Sequence, residues 1–407
     1  MNTPAYDLII VGGGMVGATL ACAVAPLGMR VVVVDAHPLP TWSPRTYDLR
    51  VSALTRASIN ILSHIGAWQG VRTRRVGPYE TMRVWDAQGN GVIQFDAAES
   101  GVDVLGYIVE NSVIQLALAE RAQTFDNLHW RAPAHVQQLQ CDDGEARLTL
   151  ADGEVLHAPL IVGADGGSSW VRGQAGIATR GWDYAQHGVV ATVRSARAHN
   201  ATAWQRFLTT GPIAFLPLDD PHLCSIVWSA PSARAQTLLT LNDTAFNTEL
   251  QAAFGDTLGA LEVVGARAAH PLRLQYATHY ARPRVVLIGD AAHNIHPLAG
   301  QGVNLGLLDA AALAHTLAEA RLQRADYGEL RVLRRYERWR KGENIAVMAL
   351  MDGFKRLFGA TATPLVATRN AGLNLLNQSP SLKNLITRAA MGARPDQPPL
   401  ARNAPYP

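Results

Sequence analysis

Lysine is nearly absent from this 407-residue sequence: the first is Lys341, and every basic side chain before it is arginine or histidine. Schiff-base and lysine-nucleophile chemistry is therefore excluded from the first three quarters of the chain. Cysteine is scarce too. Cys22, Cys141 and Cys224 are odd in number and far apart, which gives neither a disulfide framework nor a metal cluster and fits a reduced, cytosolic compartment. Long apolar runs are missing. No segment reaches the roughly 20 apolar residues of a membrane span. The run from Leu8 is soon interrupted by glycines and has no basic stretch before it, so a signal peptide is not expected. A net charge of only +3, with scattered basic residues, argues against nucleic acid as a partner.

What is present suits a large globular chain. Apolar residues make up 48% and charged residues 17%, enough to offset chain entropy by burial. The length predicts two domains with a helical appendage.

Tyr6 to Val11 is an apolar, partly β-branched run that reads as a buried parallel strand. Gly12-Gly13-Gly14-Met15-Val16-Gly17 follows at once, then a helical stretch to Leu27 ended by Gly28, then a second strand, Met29 to Val34, closed by Asp35. Strand, glycine turn, helix, strand and acid together form a dinucleotide fingerprint. Gly12 permits the tight turn, Gly14 lets backbone N–H groups approach a pyrophosphate, and Gly17 lets helix and strand pack closely. Asp35, about 20 residues on, is placed to accept ribose hydroxyls.

Two later segments repeat the strand-to-turn pattern. Leu160 to Val162 runs into Gly163-Ala164-Asp165-Gly166-Gly167, and Val285 to Ile288 runs into Gly289-Asp290-Ala291-Ala292-His293. The Asp290 carboxylate can take a hydrogen bond from a ligand hydroxyl. After Pro297, the small residues Ala299-Gly300-Gln301-Gly302-Val303-Asn304 open a helix expected to run from Leu305 to about Leu322. Its dipole would stabilise negative charge on a ligand brought close.

With these elements the sequence resembles the FAD-dependent aromatic hydroxylases of the para-hydroxybenzoate hydroxylase type: Gly163 to Gly166 looks like their DG motif. Gly289-Asp290 with His293, Pro297, Gly300, Gly302 and Asn304 looks like their GD motif. Within that superfamily it is most similar to the ubiquinone-biosynthesis hydroxylases, through Asp48-Leu49-Arg50-Val51-Ser52-Ala53, Val109-Glu110-Asn111-Ser112 and His296 to Gly306. The stretch Asp220 to Ser229 resembles the branch that hydroxylates 2-polyprenylphenol at ring position C5. The resemblance implies non-covalent FAD held by Gly12, Gly14, Gly17, Asp35, Asp165, Gly289, Asp290, Pro297, Gly300, Gly302, Val303 and Asn304. It places Arg50 and Gln115 along the FAD phosphates or ribityl chain. It also implies NADPH or NADH as reductant, molecular oxygen as co-substrate and a lipophilic polyprenylphenol as substrate. Asp35 departs from the more usual Glu.

The implied fold class is α/β: a Rossmann-like FAD domain with a β-sheet substrate domain and C-terminal helices. Because the motifs are dispersed, the FAD domain is expected from residues 1–75, 106–180 and 277–330, and the substrate sheet from 76–105 and 181–276. Met82 to Trp85 and Val92 to Phe95 flank a Gly-Asn-Gly turn as in a hairpin. Residues 331–393 read as helical, and the Pro-rich segment 394–407 as a disordered tail. The amphipathic run Ile345 to Phe358 reads as a helix packed on the body, with a surface for a membrane or for other quinone-biosynthesis proteins as the alternative.

Reduced FAD reacts with oxygen to give a C4a-hydroperoxide by itself, so no catalytic triad is expected; the protein supplies position and excludes water. Pro297 beside the flavin, with Phe215 and Pro217 on the sheet, are the expected lining residues. Tyr107, His187 and His222 are the conceivable proton acceptors. Asp290, His293 and His296 stand at three-residue intervals, but Asp290 is wanted by FAD and the chain must turn at Pro297, so no metal is expected. A flavin halogenase would need an active-site lysine before Lys341. A nicotinamide dehydrogenase would use the first element only. A prenyl-chain reductase, a hydroxylase acting at another ring carbon and a non-catalytic flavin-bearing scaffold keep all three elements, and product analysis separates them.

Overall fold

A computed structural model describes residues 6–294, 302–379, 383–384, 386–387 and 396–402. The strands Leu8–Val11 and Val31–Val34 are buried along their whole length. Such strands, apolar on both faces, suit the interior of a parallel sheet. They lie in a six-stranded sheet whose order is Ala281–Arg282, Val285–Leu287, Ile161–Gly163, Leu8–Val11, Val31–Val34, Leu128–Arg131. Three segments distant in sequence thus become parallel neighbours. Val11 pairs with Gly163, and Gly163 with Leu287, so all three motif turns leave the same edge of one sheet. In open α/β sheets a ligand crevice forms outside the carboxyl ends of the strands.

The second large sheet has eight strands, in the order His293–Asn294, Leu261–Ala277, Thr179–Ser195, Leu223–Pro231, Gly211–Pro217, Thr202–Leu208, Thr81–Asp86, Val92–Asp96. The expected hairpin is its last pair, antiparallel with Met82 opposite Phe95. One face packs on the helices Ser232–Thr240 and Asp243–Phe254 through Val189, Ile213, Phe215, Ile226, Phe246 and Phe254. The other face meets the FAD-side strand Val51–Thr55, with Ala214, Leu216 and Val227 clustered against Ala53 and Val51.

The helix Leu330–Gly359 is buried through Leu333, Tyr336, Arg340, Asn344 and Met348 while Ile345, Leu350, Phe354 and Leu357 stay exposed. The next helix, Thr363–Asn377, covers the open edge of the eight-stranded sheet. The Gly91, Val92 and Gln94 backbone N–H groups donate to Asn370 Oδ1 (2.5 Å), Asn374 Oδ1 (3.1 Å) and Asn377 Oδ1 (3.0 Å). An edge strand left bare templates pairing with another chain, and this asparagine row satisfies it. Among the described residues no helix is long and apolar enough to cross a membrane.

The expectation of a disordered tail needs correction over 396–402. Asn60 Nδ2 donates to Ala401 O at 3.0 Å, Trp339 Nε1 donates to Asp396 O at 3.0 Å, and Ala401 is buried. Proline-rich composition describes a free chain; these contacts come from helices far upstream in sequence.

Candidate active site

The first turn is built by its glycines. Gly12 has φ +105°, and a methyl group there would lie 2.3 Å from Ala164 O; one on Gly17 would lie 1.9 Å from Gly12 O. Both positions are closed by backbone, in the turn and in the helix–strand contact. Gly14 differs: its nearest neighbour would be Gln115 Nε2 at 3.9 Å. It therefore borders open space at the N-terminus of the Met15–Val24 helix, where N–H groups lack intrahelical partners. Gln115, on the Asn111–Ala122 helix, reaches the same space. Asp35 closes the second strand, and its carboxylate accepts the Gly13 N–H at 2.6 Å and the His37 N–H at 2.8 Å.

At the second turn both Asp165 oxygens are engaged by protein: Oδ1 accepts from Ser169 Oγ at 2.5 Å and Oδ2 from the Val171 N–H at 3.0 Å. The geometry gives Asp165 the work of holding the turn. Arg172 joins this turn to the third, donating to Gly167 O at 2.8 Å and Ala291 O at 2.9 Å.

The third turn carries Asp290, which is exposed between buried Gly289 and Ala291. Crowding by protein pushes its carboxyl up from the ordinary range, against the pull of His293 and Arg50. A carboxylate that solvent reaches and protein surrounds lies at the foot of a cleft. Arg50, exposed, acts on it from the position just before the strand Val51–Thr55.

The Gly302–Leu322 helix begins three residues earlier than the sequence suggests, with Gly302 and Val303 partly buried. A methyl on Gly306 would lie 2.6 Å from Val16 Cγ2 and 3.3 Å from Gly289 Cα. The start of this helix therefore abuts both the first and third turns. Asn304 is buried and its side chain works within the protein: Nδ2 donates to Ala53 O at 2.8 Å, and Oδ1 accepts from the Thr55 N–H at 3.0 Å and Ser58 Oγ at 2.7 Å. Pro297 and Gly300, with His296, lie outside the described residues.

Beneath the third turn is a buried ionic cluster that sequence reading misses. Asp309 Oδ2 is hydrogen-bonded to His293 Nε2 and accepts the Gly289 N–H at 3.2 Å; Oδ1 accepts from Arg340 Nε at 2.8 Å and Asn344 Nδ2 at 3.1 Å. Burial alone would raise the Asp309 carboxyl, but His293 and Arg340 outweigh it and hold it at about 2. His293 therefore faces Asp309 and the protein interior, and among the described residues no group of side chains is arranged to hold a metal ion. Asp309 and Arg340 are 31 residues apart on separate helices, so no local pattern joins them.

Phe215 and Pro217 must be corrected as lining residues. Phe215 is fully buried, its ring 3.9 Å from that of Phe254 on the helix-covered side, and Pro217 shares its parity on the strand. Ala214 and Leu216 face the FAD side instead. Of the suggested proton acceptors, His187 Nδ1 is bonded to Ser232 Oγ and His222 Nδ1 to Ser195 O.

Comparison with known proteins agrees with this geometry. The FAD binding domain family matches residues 5–348. The chain is 37% identical to the 3-demethoxyubiquinol 3-hydroxylase of Escherichia coli K12, over 96% of this chain and 100% of that one. It is 38% identical to ubiquinone hydroxylase UbiL of Rhodospirillum rubrum, over 98% and 93%. To the mitochondrial ubiquinone biosynthesis monooxygenase COQ6 of Homo sapiens it is 36% identical, over 94% and 91%. The fold matches the crystal structure of p-nitrophenol 4-monooxygenase PnpA from Pseudomonas putida, with TM-score 0.76 and 20% identity over 95% of this chain and 97% of that one. Three dispersed turns brought to one sheet edge and full-length relatives of one kind lead to the same place: the chain belongs to the FAD-dependent monooxygenases, in the family of the ubiquinone-biosynthesis hydroxylases.

Proposed function

We propose that this enzyme hydroxylates the ring of a polyprenylated phenol in ubiquinone biosynthesis, a 2-polyprenylphenol attacked at ring position C5 in the numbering that puts the phenol oxygen on C4, hence ortho to that oxygen, with NADPH or NADH as reductant and molecular oxygen as co-substrate. The observation that carries the reading is the cleft itself, where Gly14, Gln115, Arg50, exposed Asp290 and the Gly302 helix start converge opposite an apolar sheet face. FAD would be held there by backbone N–H groups at the Met15–Val24 helix start, by Asp35 at the ribose and by Asp290 at the ribityl chain. Bound FAD supplies the oxygen-activating chemistry. The chain's own groups orient the ring, exclude water and hold the cofactor in register.

Stretch Asp220 to Ser229 supports C5 as the position attacked, and the relative from Escherichia coli, named for a 3-hydroxylase, marks the neighbouring alternative. A lipophilic substrate calls for an enzyme that works at a membrane surface, here placed on its cytoplasmic side, and exposed Ile345, Leu350, Phe354 and Leu357 suit a peripheral contact there. Mass spectrometry of quinone precursors in a strain with the gene disrupted tests the ring position. The expected precursor is a polyprenylphenol without the C5 hydroxyl. A precursor that carries the C5 oxygen but lacks another moves the reaction to that other carbon, and normal quinone levels in a non-redundant strain refute the reading.

A further inference from the structure

The flavin-facing side of the eight-stranded sheet carries one histidine that the site described above does not use. His270 stands opposite Gly188 in the antiparallel pairing of Leu261–Ala277 with Thr179–Ser195. Neighbouring Val189, paired with Ala269, points into the helix-covered core, so alternation turns Gly188 and His270 to the other face. Side-chain distances agree. A methyl on Gly188 would lie 3.4 Å from Leu272 Cδ2 and 3.7 Å from Val227 Cγ1, and Val227 clusters with Val51 and Ala53 of the FAD side.

Further along the same strand and face, Leu274 packs against Leu305 in the first turns of the Gly302–Leu322 helix. His270 thus sits on a line of apolar residues running from Val227 toward the helix start that abuts the third FAD turn. It is exposed, and neither ring nitrogen has a hydrogen-bond partner among the described residues. Two charged or titratable groups act on it, Arg50 from across the cleft and His187 from the adjacent strand. Partial burial comes first, then Arg50 and His187, and all three lower the imidazole pKa below its ordinary value. At neutral pH the ring is a free base with an unshared electron pair.

We propose that His270 is the catalytic residue that accepts the proton of the substrate's phenolic hydroxyl. The inference rests on the hydroxylase reading given above. In this step the phenol O–H bond breaks, its electron pair stays on oxygen, and the proton bonds to an imidazole nitrogen. The negative charge that grows on oxygen as the proton leaves directs electron density to the ortho and para carbons, and the imidazolium later releases the proton to solvent. No oxidant or reductant enters the step. An imidazole is a far weaker base than a phenolate, so it leaves the resting phenol intact and takes the proton as the ring carbon gains oxygen and the hydroxyl becomes strongly acidic.

The test uses the FAD-loaded enzyme with 2-prenylphenol, comparing wild type with His270→Gln and His270→Asn, FAD occupancy serving as the control for folding. Two readouts are taken: the dependence of kcat/KM on phenol acidity across ring-fluorinated 2-prenylphenols, and the pH profile of kcat/KM for hydroxylated product. Wild type is expected to depend weakly on phenol acidity and to lose activity at acid pH as the imidazole protonates. The variants should depend more steeply on phenol acidity, lose that acid limb and turn over at least about a hundredfold more slowly, the low end of general-base effects. A ring-fluorinated, more acidic 2-prenylphenol should recover part of the loss. Variants that keep the wild-type dependence on phenol acidity and the wild-type pH profile overturn the assignment of His270 while leaving the hydroxylase reading intact. A wild-type enzyme that forms no hydroxylated product from 2-prenylphenol removes that reading, and the role of His270 with it.

Discussion

A Gly14→Val variant is expected to purify folded but colourless. The protein itself has room for the new side chain, since the nearest atom to a β-carbon at Gly14 is Gln115 Nε2 at 3.9 Å, and the backbone there is extended with φ −66°. The added bulk instead fills the space through which helix N–H groups approach the pyrophosphate. FAD affinity should fall at least tenfold, about 1.4 kcal/mol, and a steric block of this kind gives a larger loss. Flavin absorbance per polypeptide and the circular dichroism spectrum measure the two halves of the claim. Gly17→Ala makes the contrast, because its methyl would meet Gly12 O at 1.9 Å, and it should lose fold and flavin together. Stoichiometric FAD in Gly14→Val would show that the pyrophosphate does not lie there.

Asp309→Ala is expected to destabilise the cofactor domain strongly while leaving it able to fold. It leaves the buried Arg340 guanidinium without its principal counter-charge and takes a partner from His293, Asn344 and the Gly289 N–H. Removing one member of a buried ion pair costs about 3–5 kcal/mol. The thermal midpoint should fall by several degrees, and FAD loading should fall too, because Gly289 adjoins Asp290. The pH dependence has a definite sign. The folded-state pKa of Asp309 is depressed from 3.8 to about 2, so its contribution is complete above the unfolded value and disappears as pH drops toward 2. Wild type and Asp309→Ala should therefore differ most near neutrality and converge in acid. A variant within about 1 kcal/mol of wild type at pH 7, the range of ordinary exposed pairs, would contradict this account of the cluster.

Legibility from sequence divided along physical lines. The first turn, the hairpin Met82 to Phe95 and the helix from Gly302 were readable because each is specified locally, by glycine geometry, by alternation around a turn, or by a helical run of Ala and Leu. The face of the strand Gly211–Pro217 was not. Ile213-Ala214-Phe215-Leu216 is apolar at every position and buried on both sides, so period two carries no parity and the larger rings drew the wrong choice. Asn304 and Asp165 were legible as motif members, but not as polar groups engaged by Ala53, Thr55, Ser58, Ser169 and Val171. The partners of Asn304 lie up to 251 residues away, whereas those of Asp165 are four and six residues on, in a turn whose side-chain bonds the glycine pattern does not mark. His270 was passed over because its neighbours Ala268, Ala269 and Pro271 give it no motif; only the register with Gly188 places it.

Under the proposed function, the cleft inserts one oxygen atom from molecular oxygen into a phenol ring. The most direct measurement incubates the FAD-loaded enzyme with NADPH or NADH, a 2-polyprenylphenol carried in phospholipid vesicles, and isotopically heavy oxygen gas, then weighs the product by mass spectrometry. The account predicts a product heavier by one oxygen atom, with the heavy isotope in the new hydroxyl. Consumption of the nicotinamide with only hydrogen peroxide formed, or a hydroxyl carrying oxygen from water, would contradict it.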